Sequence, residues 1–473
     1  MNRRQMLKRG GLMIAGAAGG GFSPNSLAAV EEVRARVNTN SEPSQLKITD
    51  MRVVPILGSM RSHVIRLDTN QGISGYGEVR DGASPTYALM LKSRILGENP
   101  CHVDKIFRKL KQFGGHARQA GGVVAVEMAC WDLAGKAWGV PCWQMLGGKF
   151  RDAIRLYADT TSSPDGEDMG RRLKARRERG YTFLKMDVGI QLLRGMEDGV
   201  SSPWNAPGEG GRRGRGPNPA LAHPFTGVRL TDRGLKRMQE YAMSVREVLG
   251  WDIPLAADHF GHFGVEDAIK LARALDPCNL AWLEDMIPWF YTDDYVRLKN
   301  SCETPILTGE DIYLKEEFIK LFERRAISIC HPDMMSSGGL LETKKIGDTA
   351  MEHGIAMAMH FAGSPIGLFG SIHCAAATEN FMVLEFHDAD TEGYDDLVDG
   401  VPKPFMGRDG HVAVPDRPGL GVELNEEAIK SLLRRRGLDL DRYYFPPTDE
   451  WNQERSHDRL WSRLAPEAGT TIG

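Results

Sequence analysis

Short apolar runs, each ending in a polar residue, recur along the chain from about residue 150. The runs are rich in β-branched and aliphatic residues, as buried strands are. Helical patterns separate them, for example at 265–275, 316–325 and 339–354. The runs are 154–159, 182–187, 253–258, 280–285, 304–311, 327–333, 355–360 and 382–386. Strands that alternate with helices predict a parallel sheet, and eight such units predict a TIM-type (β/α)8 barrel over residues 151–386.

The polar residues at the ends of these runs are regularly spaced. Asp258, Glu284 and Glu310 follow one another at intervals of 26 residues, Asp333 comes 23 residues later, and His360 another 27. The carboxyl ends of all strands in a barrel converge on one mouth, so we expect these side chains to share a site. Their regular placement therefore indicates chemistry rather than packing.

One long interval, between the second and third runs, breaks this period. It contains residues 199–225, which are rich in Gly, Pro and Arg, and we interpret 190–228 as an inserted loop. A loop at this place would lie over the mouth, which predicts a lid or a substrate clamp. A disordered surface insertion is the alternative.

Residues 46–150 have a different pattern. The segments 46–56 and 62–79 alternate apolar and polar residues, as antiparallel strands do, and an Ala-rich helical segment follows at 123–139. This order predicts an N-terminal α+β capping domain beside the barrel mouth.

The two ends of the chain lie outside these domains. Residues 387–436 return to short strands, which we expect to pack against the cap, and residues 437–473 form a tail with no interpretable motif. Residues 1–29 run from the paired Arg3 and Arg4 through a Gly-rich apolar stretch to small residues, the order of an export signal.

This beginning resembles a twin-arginine signal, which predicts a periplasmic or otherwise exported protein. A disordered basic tail in a cytoplasmic protein is the alternative. The apolar stretch is too short for a permanent span, and no later stretch reaches the roughly 20 apolar residues that one needs. We therefore expect no membrane anchor after the signal is removed.

Composition narrows the class of protein further. The 473 residues include 59 Lys and Arg against 63 Asp and Glu, so the net charge is −4, or −8 without residues 1–29. This balance predicts no nucleic-acid partner. The seven cysteines form no CxxC pair, which disfavours a disulfide framework and a zinc ribbon.

Asp258, Glu284 and Glu310 have the chemistry of a metal site. They offer only hard oxygen ligands, which suit Mg²⁺, with Mn²⁺ as its substitute, whereas zinc would recruit His or Cys. Three crowded carboxylates also repel one another unless a cation neutralises them. An ion pair with Lys or Arg is the alternative for any one of them, but the set of three favours a metal.

Asp333 and His360 end the next two strands and form a candidate dyad. An aspartate bound to one imidazole nitrogen fixes the tautomer, raises the pKa of the histidine and leaves the other nitrogen pointing into the site. His360 is therefore a candidate general base.

The ordered set of motifs resembles the mandelate racemase/muconate lactonizing branch of the enolase superfamily, over residues 46–430. It comprises WDLAGKAWGVPCWQMLGG (131–148), FLKMDVG (183–189), the three carboxylates, HPDMMSSGG (331–339), the His360 strand, Glu385 and DGHVAVPDRPGLGVEL (409–424). The resemblance implies a modified (β/α)7β barrel with an α+β capping domain, one essential Mg²⁺, and abstraction of the proton α to a substrate carboxylate. It also implies a homo-oligomer.

The resemblance assigns roles by position. Asp258, Glu284 and Glu310 would bind the metal, Asp333 and His360 would form the dyad, and Glu385 would contact the substrate carboxylate. Abstraction of the α proton produces an enediolate with two negative oxygens, whose charge a divalent ion opposes. Lys185 can add a second cation, a protonated Glu385 can donate a hydrogen bond, and His360 would take the proton.

The chain departs from the family pattern at the second strand. Members with KxK have a second lysine as base on the substrate face opposite the histidine, whereas Asp187 stands here. One base suffices for β-elimination, so we predict a hydro-lyase that dehydrates an aldonate or related sugar acid to a 2-keto-3-deoxy acid. The alternatives are a racemase, epimerase or cycloisomerase that uses Asp187, and a periplasmic sugar-acid binding protein without catalysis.

A second departure concerns the acid for the leaving group. Several such dehydratases have a His two residues after the first metal ligand, but Phe260 stands at that position, between His259 and His262. Either histidine is a candidate for this role and for substrate contact. His360 could instead return its own proton in a syn elimination, and the two loop histidines would then face solvent.

Overall fold

The N-terminal part of the structure is a cap in which antiparallel strands pack on helices. The computed structural model describes residues 42–57, 61–196, 198–201, 228–387 and 389–454. The cap strands pair in chain order and are β1 (Ile48–Leu57), β2 (Arg61–Thr69) and β3 (Ser74–Val79). The helices that follow are α1 (Thr86–Leu89), α2 (Lys92–Ile95), α3 (Val103–Leu110), α4 (Gly121–Trp138) and α5 (Cys142–Met145).

Within the described ranges, eight parallel strands close into a barrel, because the last strand pairs with the first. The barrel strands are β4 (Ala153–Ala158), β5 (Leu184–Asp187), β8 (Leu255–Asp258), β9 (Leu283–Glu284), β10 (Ile306–Thr308), β11 (Ile329–Cys330), β12 (Ala356–Met359) and β13 (Phe381–Phe386). Between β5 and β8, the short strands β6 (Val200–Ser201) and β7 (Arg229–Leu230) form an antiparallel ribbon.

A helix follows each of the first seven barrel strands. These helices are α6 (Gly166–Glu178), α7 (Asp232–Leu249), α8 (Val265–Leu275), α9 (Thr292–Lys299), α10 (Lys315–Glu323), α12 (Leu340–Glu352) and α13 (Pro365–Ala376), with the short α11 (Met334–Ser337) before α12. After β13 the chain forms β14 (Val398–Asp399), β15 (His411–Ala413), β16 (Glu423–Leu424), α14 (Glu426–Arg435) and α15 (Leu440–Tyr443). The predicted (β/α)7β barrel with an α+β cap is confirmed.

Several predicted segments lie outside the described residues. These are the export signal at 1–29, the centre of the inserted loop at 202–227, and the tail from 455 onward. The assignments made for them, and the domain boundaries, stay predictions. No helix among the described residues is both long and apolar enough to cross a membrane.

The barrel interior consists of an apolar layer below a polar one. Each strand, or the residue just before it, contributes one buried side chain to the apolar layer, which contains Tyr157, Phe183, Ala256, Trp282, Leu307, Ile329, Ala358 and Val383. Side chains alternate along a strand, so the residue two positions later faces the same way. Those residues are Asp159, Lys185, Asp258, Glu284, Gly309, His331, His360 and Glu385. The strand period therefore places seven polar side chains directly above the barrel core.

A buried carboxylate in α4 fastens the cap to the barrel. Glu127 accepts hydrogen bonds from the backbone N–H groups of Leu340 (3.0 Å) and Leu341 (3.3 Å) in the first turn of α12, and from the Trp131 indole (2.6 Å). The first N–H groups of a helix lack partners within it, so Glu127 acts as a cap from another domain. Gly339 permits this approach, because its φ is 94° and a Cβ there would lie 2.1 Å from the carboxylate.

Glu127→Ala is expected to lower the free energy of unfolding by about 2–4 kcal/mol, because buried donors lose their acceptor. Denaturant unfolding followed by tryptophan fluorescence measures the change. Glu178→Ala, on the exposed face of α6, is the matched control and should stay within about 0.5 kcal/mol of wild type. An equally small effect of Glu127→Ala would mean that the hydrogen bonds of Glu127 do not stabilise the contact between the cap and the barrel.

Candidate active site

Three carboxylates gather at the carboxyl ends of neighbouring strands. Asp258 and Glu284 are the last residues of β8 and β9, and strand register pairs them directly. Glu310 follows β10 by two residues, because Gly309 occupies the position above the core layer. Glu284 is fully buried, Asp258 is nearly so, and the Glu310 side chain is 21% exposed. The structure therefore brings the predicted carboxylates to one part of the mouth.

Lys185 lies among buried carboxylates. Its Nζ is 2.5 Å from Glu385 Oε1, 3.4 Å from Glu284 Oε1 and 3.6 Å from Asp258 Oδ2. Burial opposes the charge of the lysine, but Glu284 and Glu385 outweigh burial and raise the pKa of Lys185 well above its ordinary value. Lys185 is therefore a buried cation among the carboxylates, and its predicted role as a second cation for the enediolate stays a prediction.

The carboxylate set fits a hard divalent cation. Burial and the charge of Glu284 raise the pKa of Asp258 well above its ordinary value, even with Lys185 nearby. The charge of Glu284 thus opposes ionisation of Asp258, a repulsion that a bound cation would relieve. A donor set made only of carboxylate oxygens is the environment that Mg²⁺ prefers.

The predicted ligand atoms are not gathered around one point in this structure. Among the described residues, the sets of ligand atoms that lie within 4.8 Å of one another are Glu284 with His331 and Glu385, and His360 with Glu385 and His387. Glu310 instead contacts the imidazole of His360, with Oε2 2.8 Å from Nε2. In this structure Asp258 and Glu284 are therefore near the Lys185 ammonium group, and Glu310 is near the His360 imidazole.

Asp333 and His360 form the predicted contact. Asp333 follows β11, His360 follows β12, and His360 Nδ1 lies 2.6 Å from Asp333 Oδ2. The other carboxylate oxygen of Asp333 accepts a hydrogen bond from Met335 N–H (2.6 Å), so the aspartate is held from both sides. Burial opposes a charged imidazole, but Glu310 and Glu385 raise the pKa of His360 well above its ordinary value.

Arg80 is a site residue that the sequence did not reveal. It lies just after β3 in the cap, is fully buried, and places Nη1 3.0 Å from Asp333 Oδ2. The same nitrogen donates to the Glu310 carbonyl (2.9 Å) and contacts the Ser336 hydroxyl, 256 residues away in sequence. The cap therefore helps to orient the dyad, and no local motif around Arg80 signals this.

Glu385 is ionised in this arrangement. It is fully buried in β13, accepts a hydrogen bond from the Tyr157 hydroxyl (2.6 Å) and contacts Lys185. Burial would raise its pKa, but Lys185 and His360 hold the pKa of Glu385 well below its ordinary value. Donation from a protonated Glu385, which we expected, would require the surrounding charges to change when a substrate carboxylate binds.

Two further histidines face this site and were not among the predicted site residues. His331 Nε2 lies 3.1 Å from Glu284 Oε1, and burial is outweighed by that carboxylate, which raises the pKa of His331 to about 9. His387 Nε2 lies 3.1 Å from Glu385 Oε1. The strand period could have located both, because His331 lies two positions after the core residue Ile329 and His387 lies four positions after the core residue Val383.

Asp187 ends β5 beside the metal-site strand. Strand register pairs it with Asp258. Burial and the charge of Asp159 raise the pKa of Asp187 to about 7. Asp187 therefore lies where the sequence placed it, and its contact with substrate stays a prediction.

His259 and His262 lie in the loop after β8, where Phe260 adopts a left-handed φ of 63°. The Nδ1–H of His259 donates to the Val188 carbonyl (2.8 Å), and the ring is buried. Burial lowers the pKa of His259 to about 4. The His262 ring is half-buried, 6.3 Å from that of His259. The predicted substrate contacts of both histidines stay predictions.

Known proteins resemble this chain over most of its length. Residues 168–428 match the model of the enolase C-terminal domain-like family, and residues 29–147 match the N-terminal domain of mandelate racemase/muconate lactonizing enzymes. D-xylonate dehydratase from Haloferax volcanii is 30% identical, over 81% of this chain and 88% of that protein. Arabinonate dehydratase from Saccharolobus solfataricus is 28% identical, over 76% and 87%. The crystal structure of a mandelate racemase/muconate lactonizing enzyme-like protein from Rubrobacter xylanophilus has a TM-score of 0.70 and 30% identity, over 82% and 97%.

Proposed function

The chain belongs to the mandelate racemase/muconate lactonizing branch of the enolase superfamily, and from this premise we propose that it is a Mg²⁺-dependent dehydratase of a sugar acid. The names of its relatives, D-xylonate dehydratase and arabinonate dehydratase, support this class of hydro-lyase. The observation that carries the proposal is the Asp333–His360 dyad at the barrel mouth, with Asp187 where a second lysine would serve a racemase.

The residues that would hold Mg²⁺ are Asp258, Glu284 and Glu310. When bound there, the cation supplies Lewis-acid stabilisation of the negative charge that develops on the substrate carboxylate. Lys185 is fixed next to two of these ligands and adds a second positive charge on the same side of the barrel. A fixed cation costs no reorganisation at the moment of reaction, so it stabilises an enediolate better than water does.

His360 takes the proton from the carbon next to the carboxylate. Asp333 accepts the Nδ1–H hydrogen bond, so Nε2 is the atom that receives the proton. In the present arrangement Glu310 favours a proton on Nε2, because its charge raises the pKa of His360. Neutralisation of Glu310 as a metal ligand would remove this effect and leave Nε2 free to act as a base.

Asp187 supports a second candidate function on the same scaffold. A carboxyl group with a pKa of about 7 can both give and take a proton near neutral pH. A racemase, epimerase or cycloisomerase would use Asp187 as its second acid/base. Such an enzyme would exchange the α proton without releasing water.

Incubation of the Mg²⁺-loaded protein with a library of aldonic and aldaric acids in D₂O separates these functions. Mass spectrometry follows both the 2-keto product and deuterium at the α carbon. We expect a 2-keto-3-deoxy acid from one configuration of substrate. Deuterium incorporation without loss of water would favour the epimerase, and binding with neither reaction would contradict both enzymes.

We further propose that the protein is exported through a twin-arginine signal, acts as a homo-oligomer and has no nucleic-acid partner. The order of basic, apolar and small residues in 1–29 and the net charge of −4 support export and the absence of a nucleic-acid partner, and the family supports oligomerisation. N-terminal sequencing of the exported protein tests removal of the signal, and sedimentation velocity tests the oligomer. The inserted loop, as a lid or clamp, stays a prediction.

A further inference from the structure

A second histidine–aspartate pair lies beside the proposed base. His387 comes directly after β13 and Asp159 directly after β4, and the register that pairs Phe386 with Ala158 brings the two together. His387 Nδ1 lies 3.2 Å from Asp159 Oδ2, and His387 Nε2 lies 3.1 Å from Glu385 Oε1. The pair therefore faces the same buried carboxylate as the catalytic dyad.

This pair repeats the design of Asp333 and His360. In each pair, a carboxylate oxygen of an aspartate at the end of one strand lies near Nδ1 of a histidine at the end of the neighbouring strand, at 2.6 Å for Asp333 and 3.2 Å for Asp159. An aspartate at Nδ1 fixes the tautomer and leaves Nε2 for proton transfer. Both Nε2 atoms face Glu385, at 4.0 Å for His360 and 3.1 Å for His387. Abstraction of the α proton uses the imidazole of His360 and gives that of His387 no role.

The separation of the two imidazoles suits one substrate. Their ring centroids are 5.5 Å apart, and they extend from neighbouring strands. A general acid or base acts across about 2.6–3.2 Å. Two imidazoles at this separation can therefore serve groups on adjacent carbons, from the same side of the molecule.

The surroundings of His387 favour its protonated form. The charged groups around it include Asp159 after β4, Glu385 in β13, His360 after β12 and Asp187 at the end of β5. Burial and the neighbouring His360 lower the pKa of His387. Asp159 and Glu385 outweigh both effects and raise the pKa of His387 above its ordinary value. His259 differs, because its one proton is directed at the Val188 carbonyl and burial keeps the ring neutral.

We propose that His387, oriented by Asp159, is the acid that protonates the departing β-hydroxyl group in a syn elimination. This inference deepens the proposed dehydratase function and rests on it. His360 Nε2 takes the C2 proton, and the electron pair of that bond is held in the enediolate. When the enediolate collapses, that pair forms C2=C3, the C3–O bond breaks, and the hydroxyl leaves as water with the His387 proton. Ketonisation then moves the proton of His360 to C3 and returns the enol hydroxyl proton to His387.

The test compares loss of water with loss of fluoride in His387→Asn. The probes are the sugar acid that wild type dehydrates in the library, with D-xylonate tried first, and its 3-deoxy-3-fluoro analogue. Fluoride leaves without a proton, so the variant should lose about 100-fold or more in kcat with the hydroxyl substrate and less than about 5-fold with the analogue. In D₂O the variant should still exchange the C2 proton, because His360 is intact.

Two matched variants control this comparison. His360→Asn should lose both eliminations and the exchange. His411→Asn should lose none of them, because His411 lies in β15 and its ring binds the backbone of Asp409. Calorimetry should show a Mg²⁺ affinity for His387→Asn within about threefold of wild type.

The outcomes separate the acid from other roles and from the function itself. Equal losses with both substrates would indicate a structural role for His387, and a tenfold loss of Mg²⁺ affinity would indicate a metal ligand; either result overturns the proposal. If His387→Asn dehydrated the hydroxyl substrate with a kcat within about tenfold of wild type, another group would be the acid, which also overturns the proposal. If wild type dehydrates no acid in the library, the dehydratase function itself fails, whereas the other outcomes leave that function intact.

Discussion

His360→Asn is expected to lower kcat by about 10³- to 10⁴-fold, because asparagine can accept no proton from the substrate. The predicted metal ligands are unchanged, so Mg²⁺ affinity should stay within about threefold of wild type. The variant should also lose exchange of the C2 proton, which isolates proton abstraction from loss of the hydroxyl group. Steady-state formation of the 2-keto acid, deuterium exchange and calorimetry measure these three quantities.

Asp333→Asn is the matched variant for the dyad. It keeps the size of the side chain at a contact of 2.6 Å but removes the charge that fixes the tautomer, so we expect a loss of about 100-fold or more. Thermal unfolding must show that both variants are folded. If His360→Asn kept more than about a few percent of wild-type activity, another group would be the base.

Glu284→Gln is expected to weaken Mg²⁺ binding by about 100-fold or more and to reduce turnover at limiting Mg²⁺ accordingly. Glu284 is fully buried between Lys185 and His331, and among the three predicted ligands it lies on the middle strand. Loss of an outer partner of a metal site typically costs 10- to 100-fold in affinity, and loss of a charged ligand should cost at least as much. Calorimetric titration with Mg²⁺ measures the affinity directly.

Glu303→Gln is the matched control for this variant. Glu303 is exposed and precedes β10, at the end of the barrel away from the carboxyl ends of the strands. The same chemical change there should leave Mg²⁺ affinity and turnover unchanged. An affinity of Glu284→Gln equal to that of wild type would reject the three-carboxylate site and would favour a metal site at His360, Glu385 and His387, the set without Glu284.

The strand pattern of the sequence was sufficient to predict the barrel and the position of most of its polar layer. Strands are recognisable because side chains alternate with a period of two and their apolar members are buried. The helix predicted over 265–275 is present as Val265–Leu275, and the other helices differ by one or two residues at their ends. The polar residue two positions beyond each core side chain follows from the same period.

The roles of groups beyond the strand ends did not follow from this pattern. His259 was a candidate acid because it flanks Phe260, the position at which several related dehydratases have a histidine. In the structure the loop departs from the strand period at Phe260, whose φ is 63°, and His259 is directed at the Val188 carbonyl. A sequence specifies which residue follows a strand more clearly than the direction of its side chain, which depends on the path of the loop.

Contacts between distant segments were decided only by tertiary structure. Arg80 reaches Asp333 because the cap is docked on the barrel, and His387 reaches Asp159 because barrel closure pairs β13 with β4. No periodicity within either segment encodes such a contact. The sequence by itself determined the fold and which residue types surround the mouth, because those depend on local alternation. The tertiary structure decided which of these residues touch, because barrel closure and cap docking join chain segments that have no local relation.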